Sequence, residues 1–192
     1  MSGITRVQKG KPLARPTGDT ISPLQPVNAA ILGVDTAAVS GVAVRVRGRL
    51  VMSCEVRIDR PEEVTEVVTY LGRVAERAGL PIGVVLERPW GGPSRTVEGL
   101  GVARGSWLTA LQRAGYPKGK VVSVMPNTWR SAVFGGHWVR AKRDDIRAHE
   151  LGTARVEAGR PDIGSDEAAA IWISYWACYS DEVRARLGKR GR

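Results

Sequence analysis

Two cysteines and two histidines in 192 residues leave little material for soft-metal chemistry. Cys54 and Cys178 lie far apart, and neither His137 nor His149 has a Cys or His partner at ligand spacing. This argues against a zinc site or a disulfide framework and for reduced core cysteines of an intracellular protein. No apolar run is long enough to span a bilayer, and the N-terminal segment lacks the apolar core of a secretory leader. The expectation is therefore a cytoplasmic protein with no membrane association. Acids are also in deficit, with 19 Asp and Glu against 29 Lys and Arg, a net charge of +10 and a pI of about 10.3. Such an excess suggests a polyanionic partner, nucleic acid before an anionic membrane surface. No repeats are present, and the length suits one domain with a full core.

The organising stretch is Ala29 to Arg47, AAILGVDTAAVSGVAVRVR. Ala30 to Val34 is a short apolar run that ends in Asp35, and it reads as a central strand with a carboxylate where it leaves the sheet. An ionised carboxylate there is costly unless it is paired or holds a metal. The plainer alternative is that Asp35-Thr36 starts a turn.

Residues 1–28 carry four prolines, several bases and no periodic apolar face, and read as a disordered basic arm. Residues 29–180 form the domain, and 181–192 a basic tail. Gly41–Arg47 and Leu50–Arg57 make a hairpin about Gly48. Asp59-Arg60-Pro61-Glu62-Glu63 starts a helix with Asp59 as its cap, and the helix stops at Gly79. Ile82–Leu86 is a second buried strand, again followed by an acid, Glu87. A Gly-rich loop from Trp90 to Ser94 leads to a helix over Thr96–Ala114, then a strand over Val121–Met125. Pro126-Asn127-Thr128-Trp129-Arg130 opens a short helix. Ala141–Ala158 is a basic helix carrying Lys142, Arg143, Arg147 and Arg155, and a last helix spans Ser165–Tyr179. This order implies an α/β domain with an antiparallel hairpin at one edge and parallel strands beyond it.

Two strands thus end in carboxylates, Asp35 and Glu87. The small residues of Gly164-Ser165-Asp166-Glu167-Ala168-Ala169-Ala170 would let the last helix lie close on the sheet and bring Asp166 to the strand ends. Three converging acids repel one another unless a cation bridges them, and oxygen-only ligation suits Mg²⁺, with Mn²⁺ as a substitute. Two such ions about 3.5–4 Å apart can activate water and stabilise the leaving oxygen in phosphodiester cleavage.

In that order, GVDTAAVSG, VVLERPW, VEGLGVARGSWLTAL and SDEAAAIWI resemble the RuvC-type Holliday junction resolvases, particularly phage-like members, over Ala30 to Tyr179. The resemblance implies an RNase H-like five-stranded mixed sheet flanked by helices. It also implies a metal-dependent endonuclease that cuts four-way DNA junctions as a homodimer. Asp35, Glu87 and Asp166 match the family's catalytic, metal-holding acids. Ala169 stands where the family carries a further carboxylate. Trp90 matches an aromatic that stacks on junction bases, although it also reads as a loop tryptophan packed over the sheet edge. Lys142 matches a lysine near the scissile phosphate, and Arg88 and Arg143 join the DNA-contacting candidates. Gly101 and Gly105 give a helix a smooth face for close packing on the sheet or on a twin subunit, and the resemblance points to the subunit. GVDTAAVSG is also similar to the phosphate loop of actin-like and sugar-kinase ATPases, but those need a second such domain, for which 192 residues are too few. A junction-binding protein without cleavage is the reading that Ala169 supports.

Overall fold

The computed structural model describes residues 25–88, 94–116, 120–136 and 142–188. Five strands form one mixed sheet, β1 (Ala30–Asp35), β2 (Val39–Val46), β3 (Arg49–Arg57), β4 (Ile82–Glu87) and β5 (Val121–Val124), in the order β3-β2-β1-β4-β5. β1, β2 and β3 are antiparallel neighbours, whereas β4 runs parallel to β1 and β5 parallel to β4. β1 is buried on both faces, which explains its unbroken apolar run. The expected hairpin turn falls at Arg47 and Gly48, both with positive φ (51° and 83°), the backbone that a tight two-residue turn between twisted strands requires.

Helices cover both faces. α1 (Pro61–Ala78) and α2 (Ser94–Arg113) pack on one face against Ala30, Leu32, Val34, Val84 and Leu86. α5 (Ser165–Tyr179) lies on the other, backed by α3 (Pro126–Phe134) and α4 (Arg143–Ala158). Most residues of α5 are buried, so it forms the centre of that layer rather than an amphipathic cover. Glycines set its depth: a Cβ at Gly33 of β1 would lie 2.6 Å from the Ser174 nitrogen, and one at Gly41 of β2 would overlap the Asp166 carbonyl.

Several details differ from the sequence reading. Asp59 does not cap α1: Arg60 is the N-cap, while both Asp59 carboxylate oxygens are taken by Arg57 at 2.8 and 3.1 Å. Gly79 does end α1 in the left-handed conformation. The tail beyond 180 opens with a helix, α6 (Asp181–Gly188), whose Val183 is buried. At the other end, Val27 is buried and its N–H donates to the Cys178 carbonyl at 2.7 Å, so the domain takes in the end of the expected arm. Gly101 and Gly105 do not pack on the sheet, since a Cβ on either meets nothing within 4 Å. Both cysteines are free thiols, Cys178 in the α5 layer and Cys54 beside the α1 layer. Burial pushes the Cys178 thiol up to about 11.

Candidate active site

β1 and β4 are parallel and in register from Ala30↔Ile82 to Val34↔Leu86, so Asp35 and Glu87 emerge side by side at the same end of the sheet. Side chains alternate along a strand, which puts Asp35 on the same face as Ile31 and Glu87 on that of Val85, the face covered by α5. Buried Thr36 locks the two strand ends together by donating to the Glu87 carbonyl at 2.9 Å. From the opposite face, Trp107 Nε1 donates to Ser40 Oγ at 3.0 Å, and Ser40 Oγ donates to the Ala37 carbonyl at 2.9 Å, holding the β1–β2 turn.

Asp35 pairs with Gly41 across the β1–β2 ladder, and Gly41 is where the first turn of α5 touches the sheet. That contact brings Asp166 into the electrostatic field of Asp35, so the three predicted acids share one corner of the molecule. Burial first, then the charge of Glu87, a hydrogen bond between the two carboxyl groups, and the charge of Asp166 push the Asp35 carboxyl well above the ordinary range. The Arg130 guanidinium pulls it the other way.

Sequence reasoning missed three residues here. Trp129 is fully buried, and its Nε1–H donates to Glu87 Oε1 at 2.8 Å. The Arg130 guanidinium lies 4.7 Å from the centre of the Trp129 ring and binds Glu150 of α4 through Nε at 2.5 Å and Nη2 at 3.3 Å. Burial, first, and the charge of Glu87 raise the Glu150 carboxyl, while Arg130 opposes them. The missed signal was Glu150's position between Ile146 and Ala154 at steps of four, an acid on the inward stripe of an otherwise polar helix.

The remaining candidates divide. Arg88, Lys142 and Arg143 are exposed, and Lys142 is the N-cap of α4. Trp90 lies outside the described residues. Arg147 and Arg155 are both exposed, and Arg155 also donates to the Ile163 carbonyl at 3.2 and 3.4 Å. Glu167 points away from the acids and pairs with Arg160 at 2.8 Å. The exposed Asp162 binds the same arginine at 2.8 Å. Ala169 is buried.

No family model matches the chain, and no curated protein does. Solved structures do. RuvC of Thermus thermophilus in complex with Holliday junction substrate aligns over 83% of this chain and 96% of its own, with TM-score 0.59 and 21% identity. A further Thermus thermophilus RuvC structure aligns over 83% and 97%, with TM-score 0.56 and 22% identity. The fold is that of RuvC. The resemblance read from four short motifs therefore holds at the level of architecture, including the RNase H-like five-stranded mixed sheet with helices on both faces.

Among the described residues no three His, Cys, Asp or Glu side chains stand as a ready-made metal cage. The donor chemistry nevertheless fits a hard divalent cation. Asp35 and Glu87 offer adjacent carboxyl oxygens whose negative charges oppose one another, and the charge of Asp166 adds to theirs. No described helix is long and apolar enough to cross a membrane.

Proposed function

We propose that the protein is a metal-dependent, structure-selective DNA endonuclease that resolves four-way junctions by paired nicks, acting as a homodimer. The observation that carries this reading is the Asp35–Glu87 carboxyl pair at the ends of adjacent parallel strands, with Asp166 brought up by α5, in a chain with the RuvC fold. Asp35, Glu87 and Asp166 would hold Mg²⁺ or Mn²⁺. A bound divalent ion supplies an acidified water as nucleophile and charge stabilisation for the leaving oxygen. The chain's own part is to orient the carboxylates: the β1–β4 register aligns two of them, and the closeness of α5 to Gly41 sets the third.

The branched-DNA substrate is argued from charge and likeness together. The net charge of +10 suits a phosphate backbone, and one of the similar RuvC structures is a complex with a Holliday junction. Exposed Arg88, Lys142 and Arg143 are the cations assigned to phosphate, and Trp90, just beyond the end of β4, to base stacking. The exposed, unobstructed glycine face of α2 at Gly101 and Gly105 is the surface assigned to the twin subunit.

A second reading, junction binding with little cleavage, is favoured by Ala169, which leaves the cluster one carboxylate short. Incubating purified protein with a labelled four-way junction and with a matched linear duplex, with Mg²⁺ and with EDTA, separates the two. Paired nicks on the junction alone that require Mg²⁺ support the first reading. Tight junction binding without nicks in either Mg²⁺ or Mn²⁺ supports the second. Equal affinity for both DNAs with no cleavage defeats both.

A further inference from the structure

We propose that Trp129 is a positioning residue for the Glu87 carboxylate, held in place by the Arg130–Glu150 ion pair. The inference rests on the reading of this corner as a metal-dependent site. It starts from the chain's path. β5 ends beside Glu87 in the register Glu87↔Val124, and Pro126 at the first position of α3 turns the chain back at once. One turn of helix after that proline returns residue 129 over the strand ends. There the indole N–H meets Glu87 Oε1 at 2.8 Å, with both residues buried.

Packing alone does not account for a tryptophan with its N–H on this oxygen. Trp176 fills the same apolar cluster with an indole nitrogen that has no hydrogen-bond partner among the described residues. Trp129 is instead clamped from several sides. The Arg130 guanidinium lies 4.7 Å from its ring centre and the Phe134 ring stands edge-on at 6.3 Å. Glu150 fixes Arg130 by two hydrogen bonds, and the Glu150 carbonyl accepts from Trp172 Nε1 at 3.1 Å, tying α4 to α5. The chain of contacts Trp172–Glu150–Arg130–Trp129–Glu87 thus links the two covering helices to the carboxylate.

The consequence is chemical. Glu87 sits between the neighbouring end of β1, which carries Asp35, on one side and the indole N–H on the other. The N–H holds one oxygen in a fixed direction, so the carboxyl plane keeps one orientation. Without it, Glu87 is free to swing toward the Arg130 guanidinium, whose positive charge already acts on it. An outer hydrogen bond that orients a ligand typically changes metal affinity by about tenfold to a hundredfold when removed.

Two variants test this. Trp129→Phe removes the N–H together with part of the ring, and Trp129→β-(3-benzothienyl)alanine removes only the N–H while keeping the bicyclic shape. Mn²⁺ binding is titrated calorimetrically on each full-length protein, and junction nicking is followed in parallel. The expected result is that both variants need about tenfold more Mn²⁺ for half-saturation. Maximal nicking rate should fall while the junction concentration at half-maximal rate stays put. In a Glu87→Gln background Trp129→Phe should add nothing further. Wild-type Mn²⁺ affinity in the benzothienyl variant overturns the positioning role even if the Phe variant unfolds. A wild-type protein that binds no Mn²⁺ overturns the underlying metal-site reading as well.

Discussion

Gly41 of β2 lies directly beneath the Asp166 carbonyl of α5, and the same glycine is the ladder partner of Asp35. One residue without a side chain therefore sets the distance between two of the acids. A Cβ at 41 would overlap the Asp166 carbonyl carbon and oxygen and crowd the Glu167 nitrogen, all backbone atoms that cannot rotate aside. Gly41→Ala should cost about 1–3 kcal/mol of stability, the usual range for overpacking. Junction nicking should drop by more than the loss of folded protein explains. Gly33→Ala, which presses on Ser174 two turns along the same helix, is the control. It should destabilise comparably while the folded fraction keeps more of its nicking rate. Denaturant melts and rates normalised to folded protein check both.

Asp35 carries the second prediction. Its folded-state carboxyl is raised, by burial first and then by Glu87 and Asp166. A raised acid contributes stability that is fully present below the unfolded value of about 3.9 and is lost as pH climbs through the folded value. In EDTA the wild-type protein should therefore lose stability as pH rises above about 4, whereas Asp35→Asn should lose less. The melting-temperature difference should favour the Asn variant increasingly toward neutral pH. Adding Mn²⁺ should raise the wild-type melting temperature and barely move the variant. Asp35→Asn should also abolish nicking while junction binding persists. Thermal melts across pH, with and without Mn²⁺, read all of this.

The two parallel-strand acids were legible because each closes an apolar run short enough to be only a strand. Asp166 was legible because a run of small residues follows it. Those are local patterns, and the β1–β4 register turned them into neighbours. The Trp129–Arg130–Glu150 group was not legible, because it depends on how α3 and α4 approach one another, which no local period encodes. Asp59 misled for a related reason: its sequence position suits a cap, but Arg57 two residues earlier took its carboxylate first. Gly101 and Gly105 read as a smooth face for the sheet or a twin subunit, and among the described residues a Cβ on either meets nothing within 4 Å, so the sheet is not what they face.

Phosphate contact is the third prediction. Lys142 and Arg143 are exposed at the start of α4; Arg155, also exposed, donates to the Ile163 carbonyl, and Arg160 to Ser53 and Glu167. Lys142→Ala and Arg143→Ala should each reduce the slope of log affinity against log salt by about one unit on junction DNA. Arg155→Ala should leave the slope unchanged. Trp90→Ala should weaken junction binding by about 1–3 kcal/mol and leave duplex binding alone, as expected for loss of a stacked base. Equal losses on both DNAs would assign Trp90 to packing. Fluorescence anisotropy titrations over a salt series supply the slopes and affinities.

Ala169 poses the last test. It lies one helical turn beyond Asp166 on the same side of α5, only 4% exposed, in the same apolar cluster as Trp129 and Trp172. An acid introduced there has no solvent to stabilise its charge, so Ala169→Asp should destabilise the metal-free protein by at least about 2 kcal/mol. A cation shared with Asp166 would offset that cost. The Mn²⁺-induced rise in melting temperature should then exceed that of the wild type, half-maximal nicking should need less metal, and the nicking rate should increase. The other nearby acids should not behave this way, because both are already paired with Arg160. Glu167→Gln and Asp162→Asn should lower stability slightly and leave nicking intact. Melting curves and metal titrations of nicking on the three variants decide the matter. Should Glu167→Gln or Asp162→Asn stop cleavage while Ala169→Asp helps nothing, the assignment of the acids on α5 is wrong.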